Sequence, residues 1–410
     1  LLLGYLVEKL PLWPLALRFN LFSALTMAGA AGFVAATAFH LMPSSEKPAD
    51  FLNILIAIAS GLTLAFASLV WSQAVITEVY GLFMLLAAAT LWALLTQKPT
   101  WLIGFLLGLT ITAHLTGWLL LPLVLVLTPK PKLITLAAAL FLGLLPFALL
   151  PLLATPTSPV IWGDLDSFQG WWWLVSSHIY RGYSFALPPD LWLSRLSTWG
   201  LPMLTQFTWA GLPLIVAAFL LVPTENRRLY GLLLATAVLY LIVPFFYHTD
   251  DAIIFTLPAW LLLSLLLVPA YQRLGWLALL LPLALLLLNF QANNLKQEYQ
   301  IRTHAESLLA AVPENAIVET AGDPTIFTLW YIIYAEAQRA DTIPVDSDLF
   351  AFDWYRQRLH LLNPDLEGLE QDDLAQFREL NGAKRPYCFA SLAQTNPDTP
   401  ENFSLTCTEN

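Results

Sequence analysis

From residue 18 to residue 290 the chain alternates long apolar runs with short polar breaks. About 20 apolar residues cross a hydrocarbon core, and spans are predicted at 20–42, 51–70, 79–95 and 133–153. More follow at 201–222, 229–247, 253–268 and 274–290. Residues 1–17 are apolar but broken by Glu8, Lys9, Pro11 and Pro14, as in an interfacial or partial helix. The run 101–128 is long for one span and short for two. Its centre, Ala113-His114-Leu115-Thr116-Gly117-Trp118, carries polar groups and a glycine, so two short helices meeting near His114 are expected. That makes about nine or ten membrane segments. After 290 the pattern changes: 293–311 has helical spacing, 316–320 is strand-like, 321–324 is a turn, and 325–334 is a second apolar-aromatic run. Such alternation predicts a small α/β domain. The expected fold is mainly α, a polytopic membrane helical protein over 1–290 with an outer loop at 154–199, followed by a small soluble α/β domain over 291–410.

Composition sharpens this division. Mean hydropathy is +0.65, with 58% hydrophobic and 12% charged residues; in soluble domains about a quarter are charged. The net charge of -10 is local, because residues 291–410 hold 19 of the 29 acids but only 8 of the 19 lysines and arginines. An almost uncharged membrane body thus carries an acidic, water-soluble tail. Neither part has the basic patch that nucleic-acid binding needs.

The lysines and arginines orient the body. With 101–128 taken as a hairpin, Lys47, Lys98, Lys130, Lys132, Arg227, Arg228 and Arg273 share one side, which the positive-inside rule makes cytoplasmic. Arg18, Glu78, His114, the 154–199 loop, His248-Thr249-Asp250-Asp251 and the whole tail then lie outside. An integral plasma-membrane protein with an extracytoplasmic C-terminal domain is expected. The chain opens Leu1-Leu2-Leu3 without methionine and without a charged signal-peptide start, and reads as a fragment lacking its N-terminus. Cys388 and Cys407 both fall in the tail; sequence leaves open whether they pair.

Candidate chemistry is concentrated in Trp71-Ser72-Gln73-Ala74-Val75-Ile76-Thr77-Glu78-Val79-Tyr80. Glu78 is the only Asp, Glu, Lys, Arg or His between 51 and 95. A carboxylate at membrane depth costs about 2–3 kcal/mol or more unless it meets water or a partner. It fits a polar site lining a cavity at one membrane face, or a plain helix turn at the water boundary. The outer loop holds Trp162-Gly163-Asp164-Leu165-Asp166 and Trp171-Trp172-Trp173 through His178-Ile179-Tyr180-Arg181-Gly182-Tyr183. The aromatic stretch reads as an interfacial helix. It is either a simple anchor to membrane lipid or a site where Arg181, with His178, holds a lipid phosphate and nearby aromatic faces, Tyr180 among them, stack on a sugar ring or pack isoprenoid. Asp164 and Asp166 are turn residues or catalysts; Asp250 and Asp251 are a helix cap or cavity carboxylates. Six scattered histidines show no zinc spacing, and no Walker or dinucleotide glycine motif occurs. No metal or soluble cofactor is expected. Asn402-Phe403-Ser404 matches a glycosylation sequon.

Several of these blocks together resemble one family. Arg18-Phe19-Asn20-Leu21-Phe22-Ser23-Ala24, Trp71-Ser72-Gln73 with Thr77-Glu78-Val79-Tyr80, and Gly108-Leu109 before His114-Leu115-Thr116 follow in order. Then come the tryptophan-rich loop, Pro313-Glu314-Asn315-Ala316, Gly322-Asp323 with Leu329-Trp330-Tyr331, and Asp353-Trp354-Tyr355. The ordered set is similar to the membrane glycosyltransferase-like family first catalogued as a domain of unknown function and now linked to protein O-mannosylation. That resemblance implies a GT-C architecture. Sugar would move from a polyprenyl-phosphate donor to a hydroxyl on an acceptor protein or an envelope glycan. It also implies a catalytic base in a first outer loop upstream of Leu1. Glu78 and Asp164 are then the catalytic candidates within this sequence. Arg18, Gln73, His114, Tyr180, Arg181 and Asp250 are the substrate-binding ones. A transporter or lipid-binding scaffold is the alternative, but it predicts paired broken helices, and the sequence shows a single break, at His114.

Overall fold

The computed structural model describes residues 2–42, 51–154, 158–392 and 403–408. The expected turn at 43–50, with Glu46 and Lys47, and Asn402 of the sequon lie outside the described residues. The described chain is mostly helical, with one four-stranded sheet near its C-terminus. It divides into two units. The first comprises the described residues up to Leu149 with Tyr180–Leu295; the second comprises those of Leu150–Ile179 and Lys296–Asn410.

The first unit is built from apolar helices. Among the described residues four helices are long and apolar enough to cross a membrane: Leu15–Leu41, Lys130–Leu153, Thr224–Phe245 and Val268–Asn289. The pair Phe51–Ala65 and Ser68–Ala74, bent by 72°, makes a fifth if taken as one span. Tyr80–Leu95, Thr100–Ala113, Leu115–Leu127 and Gly211–Leu221 are apolar but shorter. In hydrocarbon every backbone polar group needs a protein partner, so each break must be repaired. At the 72° bend the repair comes from two amides: Asn289 Nδ2 donates to Phe66 O at 2.8 Å, and Leu69 N donates to Gln206 Oε1 at 3.0 Å.

The expected break at 114 is present. Thr100–Ala113 ends at His114, whose backbone is extended (φ -157°, ψ 133°), and a tighter helix, Leu115–Leu120, follows. Small residues set the packing. A Cβ on Gly108 would lie 2.2 Å from Leu140 O, so the helices 100–113 and 133–143 approach as closely as small-residue membrane interfaces allow.

Alternate helix ends meet. Near one end Asn20 reaches Thr77, Tyr80 reaches His114, and Phe255 reaches both rings. Lys98, Lys130 and Lys132, Arg227 and Arg228, and Arg273 mark the other ends of the same helices.

The second unit is α/β. Strands β1 (Ile317–Thr320), β2 (Ile343–Asp346), β3 (Tyr387–Leu392) and β4 (Phe403–Cys407) form a sheet ordered β2-β1-β3-β4. β1 runs parallel to β2 and β3, and β4 closes the edge antiparallel to β3. All four β1 residues are buried, as a parallel strand covered on both faces requires. Ile317 packs with Phe350, Tyr355 and Phe377; Val318, on the opposite face, packs with Leu308 and Leu329. Cys388 lies opposite Cys407 across β3 and β4, and the two are disulfide-bonded. Part of the expected outer loop is counted in this unit: Trp162 packs against Phe327 and Trp354, and Trp173 against Phe352.

Candidate functional site

The densest meeting of polar and aromatic groups in the first unit surrounds the connection between Ser68–Ala74 and Tyr80–Leu95. Its backbone is fixed from the helix Leu15–Leu41. Thr77 Oγ1 donates to Asn20 Oδ1 at 2.5 Å, and Ser23 Oγ bonds both the N–H and the carbonyl of Glu78 at 3.3 Å. Gly81 permits that approach: a Cβ there would lie 2.7 Å from Ser23 O. With its backbone held, the Glu78 side chain keeps an exposed face. Partial burial raises its pKa above the ordinary carboxylate value, with a smaller contribution from the Asp251 charge and opposition from the Val79 N–H. No cation pairs with it among the described residues.

Aromatic rings form the floor. His114 lies 5.5 Å from Tyr80, 5.2 Å from Phe83 and 5.1 Å from Phe255, centroid to centroid. Its Nδ1 accepts the Thr116 N–H at 3.3 Å and contacts Thr116 Oγ1 at 2.8 Å. A backbone N–H can only donate, so the ring proton belongs on Nε2. Phe255 continues to Tyr247 at 5.3 Å, and Tyr247 to Tyr183 at 6.1 Å. The Tyr247 hydroxyl donates to Tyr180 O at 3.4 Å, and its pKa is pushed up to about 12, chiefly by burial. It therefore stays a donor at neutral pH.

The candidates of the sequence fall into three groups. Glu78, His114 and Tyr180 are linked through Tyr80, Phe255 and Tyr247. Asp250 and Asp251 open the helix Asp250–Thr256 that carries Phe255, and it is Asp251 whose charge acts on Glu78. Arg181 follows Tyr180, is exposed, and pairs with no acid among the described residues.

Arg18 and Gln73 have other surroundings. Arg18 Nη1 donates to the carbonyls of Val7, Glu8 and Leu10, so it closes the end of the helix Leu2–Glu8. Gln73 is 6% exposed; its Nε2 reaches Ser72 Oγ at 3.4 Å, while its Oε1 is buried without a partner. Asp164 belongs to the second unit. Its Oδ1 accepts from Asp166 N at 3.1 Å and its Oδ2 from Ser167 Oγ at 2.6 Å, and Ser167 caps the helix Phe168–Val175. Both Asp164 oxygens thus build a turn. Among the described residues no three His, Cys, Asp or Glu side chains gather as a metal site would.

Residues that sequence reasoning passed over are Tyr247, Phe255 and Arg195. The aromatic pair sits within apolar runs where rings are expected as lipid-facing or core residues. Arg195 is separated from its partners by more than fifty residues.

Fold and site together define a class: a mostly helical protein with several candidate membrane-spanning helices, a small C-terminal sheet, and a carboxylate-aromatic cluster where helix ends meet. Two protein-family models match the chain. The Protein O-mannosyl-transferase TMEM260 N-terminal domain matches residues 1–132, and TMEM260-associated domain 2 matches residues 301–366. These matches support an O-mannosyltransferase-like family. The first includes Glu78 and His114; the second includes β1 and β2. No solved structure matches the chain.

Proposed function

We propose that this protein is a membrane glycosyltransferase of GT-C type that moves a mannose-like sugar from a polyprenyl-phosphate donor to a hydroxyl of an acceptor protein. The carrying observation is the cluster of Glu78, Tyr80, His114, Tyr247 and Asp251 inside a chain whose first 132 residues match the O-mannosyl-transferase model. Of the carboxylates within this sequence, Glu78 is the one assigned to proton transfer, because it keeps an exposed face and pairs with no cation among the described residues. The acceptor hydroxyl gives its proton to Glu78 as its oxygen bonds the anomeric carbon. The bond from that carbon to the phosphate oxygen breaks, and the electron pair leaves on the lipid phosphate. Arg181 is the cation assigned to stabilise that charge. Asp164 is assigned no part in this step, since each of its oxygens already accepts a hydrogen bond within its turn.

Two observations support an extracytoplasmic site. Lys98, Lys130, Lys132, Arg227, Arg228 and Arg273 stand at the helix ends away from Glu78, the pattern expected of a cytoplasmic face. The Cys388–Cys407 disulfide fits a tail in an oxidising compartment.

The test uses full-length protein in nanodiscs with radiolabelled polyprenyl-phosphate mannose and an envelope-protein acceptor, following lipid-phosphate release and label on protein. Label transfer that is lost in Glu78→Gln supports the reading and its base. Transfer that survives Glu78→Gln moves the base to another carboxylate. Tight lipid binding without transfer from any such donor replaces the enzyme with a scaffold or transporter.

A further inference from the structure

Arg195 differs from the other cations of the first unit. It lies on the helix Trp192–Thr205, is 9% exposed, and faces no carboxylate among the described residues. A buried guanidinium is costly unless its donors are satisfied. Here Nη1 donates to Tyr247 O at 2.7 Å, Nη2 donates to Thr249 O at 3.0 Å, and the Trp199 ring lies 5.1 Å away. Both carbonyls belong to the turn between Arg227–Phe245 and Asp250–Thr256. Helix ends leave carbonyls without intrahelical partners, and a planar fork with fixed donors suits two neighbouring carbonyls better than an ammonium does.

That turn is the junction on which the site depends. His248 N donates to Tyr183 O at 2.9 Å, the Tyr247 hydroxyl donates to Tyr180 O, and Leu187 N donates to Phe246 O at 3.3 Å. These bonds stitch the Tyr180–Arg181 stretch to the turn. On its other side the turn leads into Asp251 and Phe255, and Phe255 packs on Tyr80 and His114.

We propose that Arg195 is the positioning residue of the site: its grip on the Tyr247 and Thr249 carbonyls holds the turn so that the helix Asp250–Thr256 keeps Phe255 against Tyr80 and His114, and Tyr247 holds the stretch bearing Arg181. The consequence for turnover rests on the glycosyl-transfer reading; the placement does not.

The test therefore has two arms, both on full-length protein in membranes. In the first, a Glu78→Cys, Asp251→Cys pair is cross-linked with a short bis-maleimide, which the disulfide-bonded Cys388 and Cys407 do not consume. Arg195→Gln should lower the cross-link yield severalfold, and Arg195→Lys should fall between the two. Should Arg195→Gln fail to insert, Arg195→Lys, which keeps the charge but loses the two-pronged fork, carries the same comparison. In the second arm, with Glu78 and Asp251 native, Arg195→Gln should move the acid limb of the transfer profile to lower pH. It should produce no further movement in an Asp251→Asn background. A merely structural arginine would lower turnover without moving that limb. An unchanged cross-link in inserted Arg195→Gln overturns the proposal, whatever the transfer assay gives. A cross-link that depends on Arg195 in a protein that transfers no sugar upholds the placement and defeats the enzymatic reading instead.

Discussion

Glu319 of the second unit is buried and Glu78 of the first keeps an exposed face, and the chain treats the two carboxylates in opposite ways. Glu319, 5% exposed on β1, is gripped by the Nε and Nη2 of Arg378 and by the Tyr387 hydroxyl, with Arg378 Nε and Tyr387 Oη each 2.7 Å away. Its charge is neutralised and its lone pairs are used. Glu78 has its backbone fixed by Ser23, pairs with no cation among the described residues, and feels the charge of a second acid, Asp251. A carboxylate whose partners are complete holds a fold together. One whose partners are missing is free to exchange a proton.

The largest effect that could break this contrast is on turnover. Glu78→Gln should lower sugar transfer by about 100-fold or more, the scale of a lost general base, with membrane insertion and expression unchanged. Wild-type turnover in that variant would end the assignment. Stability should move the other way. A carboxyl whose folded pKa is raised favours folding while protonated, and that contribution is lost as pH rises through the folded value. At neutral pH Glu78→Gln should therefore unfold no earlier than wild type on heating, and the small difference should vanish in acid.

The second unit should respond in stability and not in proton transfer. Replacing Cys388 and Cys407 by serine removes a cross-link between residues 19 apart in sequence and should cost about 2–4 kcal/mol, seen as earlier proteolysis of the tail in a denaturant series. Arg378→Ala leaves Glu319 with only Tyr387. The guanidinium is 38% exposed, so the loss should fall below the ~3–5 kcal/mol of a fully buried pair. A pulse-proteolysis midpoint for the tail would measure it, and an equal change in the transfer pH profile would contradict the comparison. The smallest effect belongs to Asp251→Asn. Removing that charge should shift the acid limb of transfer to lower pH, while the same substitution at Asp250 should shift it less.

Some of the site is legible in the order of residues alone. The break at His114 follows from a polar group and a glycine inside an apolar run, because neither continues a membrane helix without compensation. Glu78 is conspicuous as the lone charge across two spans. Other expectations concern residue types that serve two purposes equally well. Arg18 and Asp164 are a cation and a carboxylate in polar stretches, and the structure gives the first to the carbonyls of Val7, Glu8 and Leu10 and the second to a helix cap. Arg195 leaves no local signal because backbone carbonyls are its partners, and every residue has one.

The sequence by itself determined the apolar helical character of most of 1–290, the acidic α/β tail, and the polar motif between two apolar runs. Those properties follow from the periodicity and transfer free energy of side chains, which are local. Tertiary structure alone decided that Phe255 packs on Tyr80 and His114, that Tyr247 reaches Tyr180, and that Arg195 holds the turn between them. These depend on which helix ends coincide, and packing between elements far apart in the chain settles that.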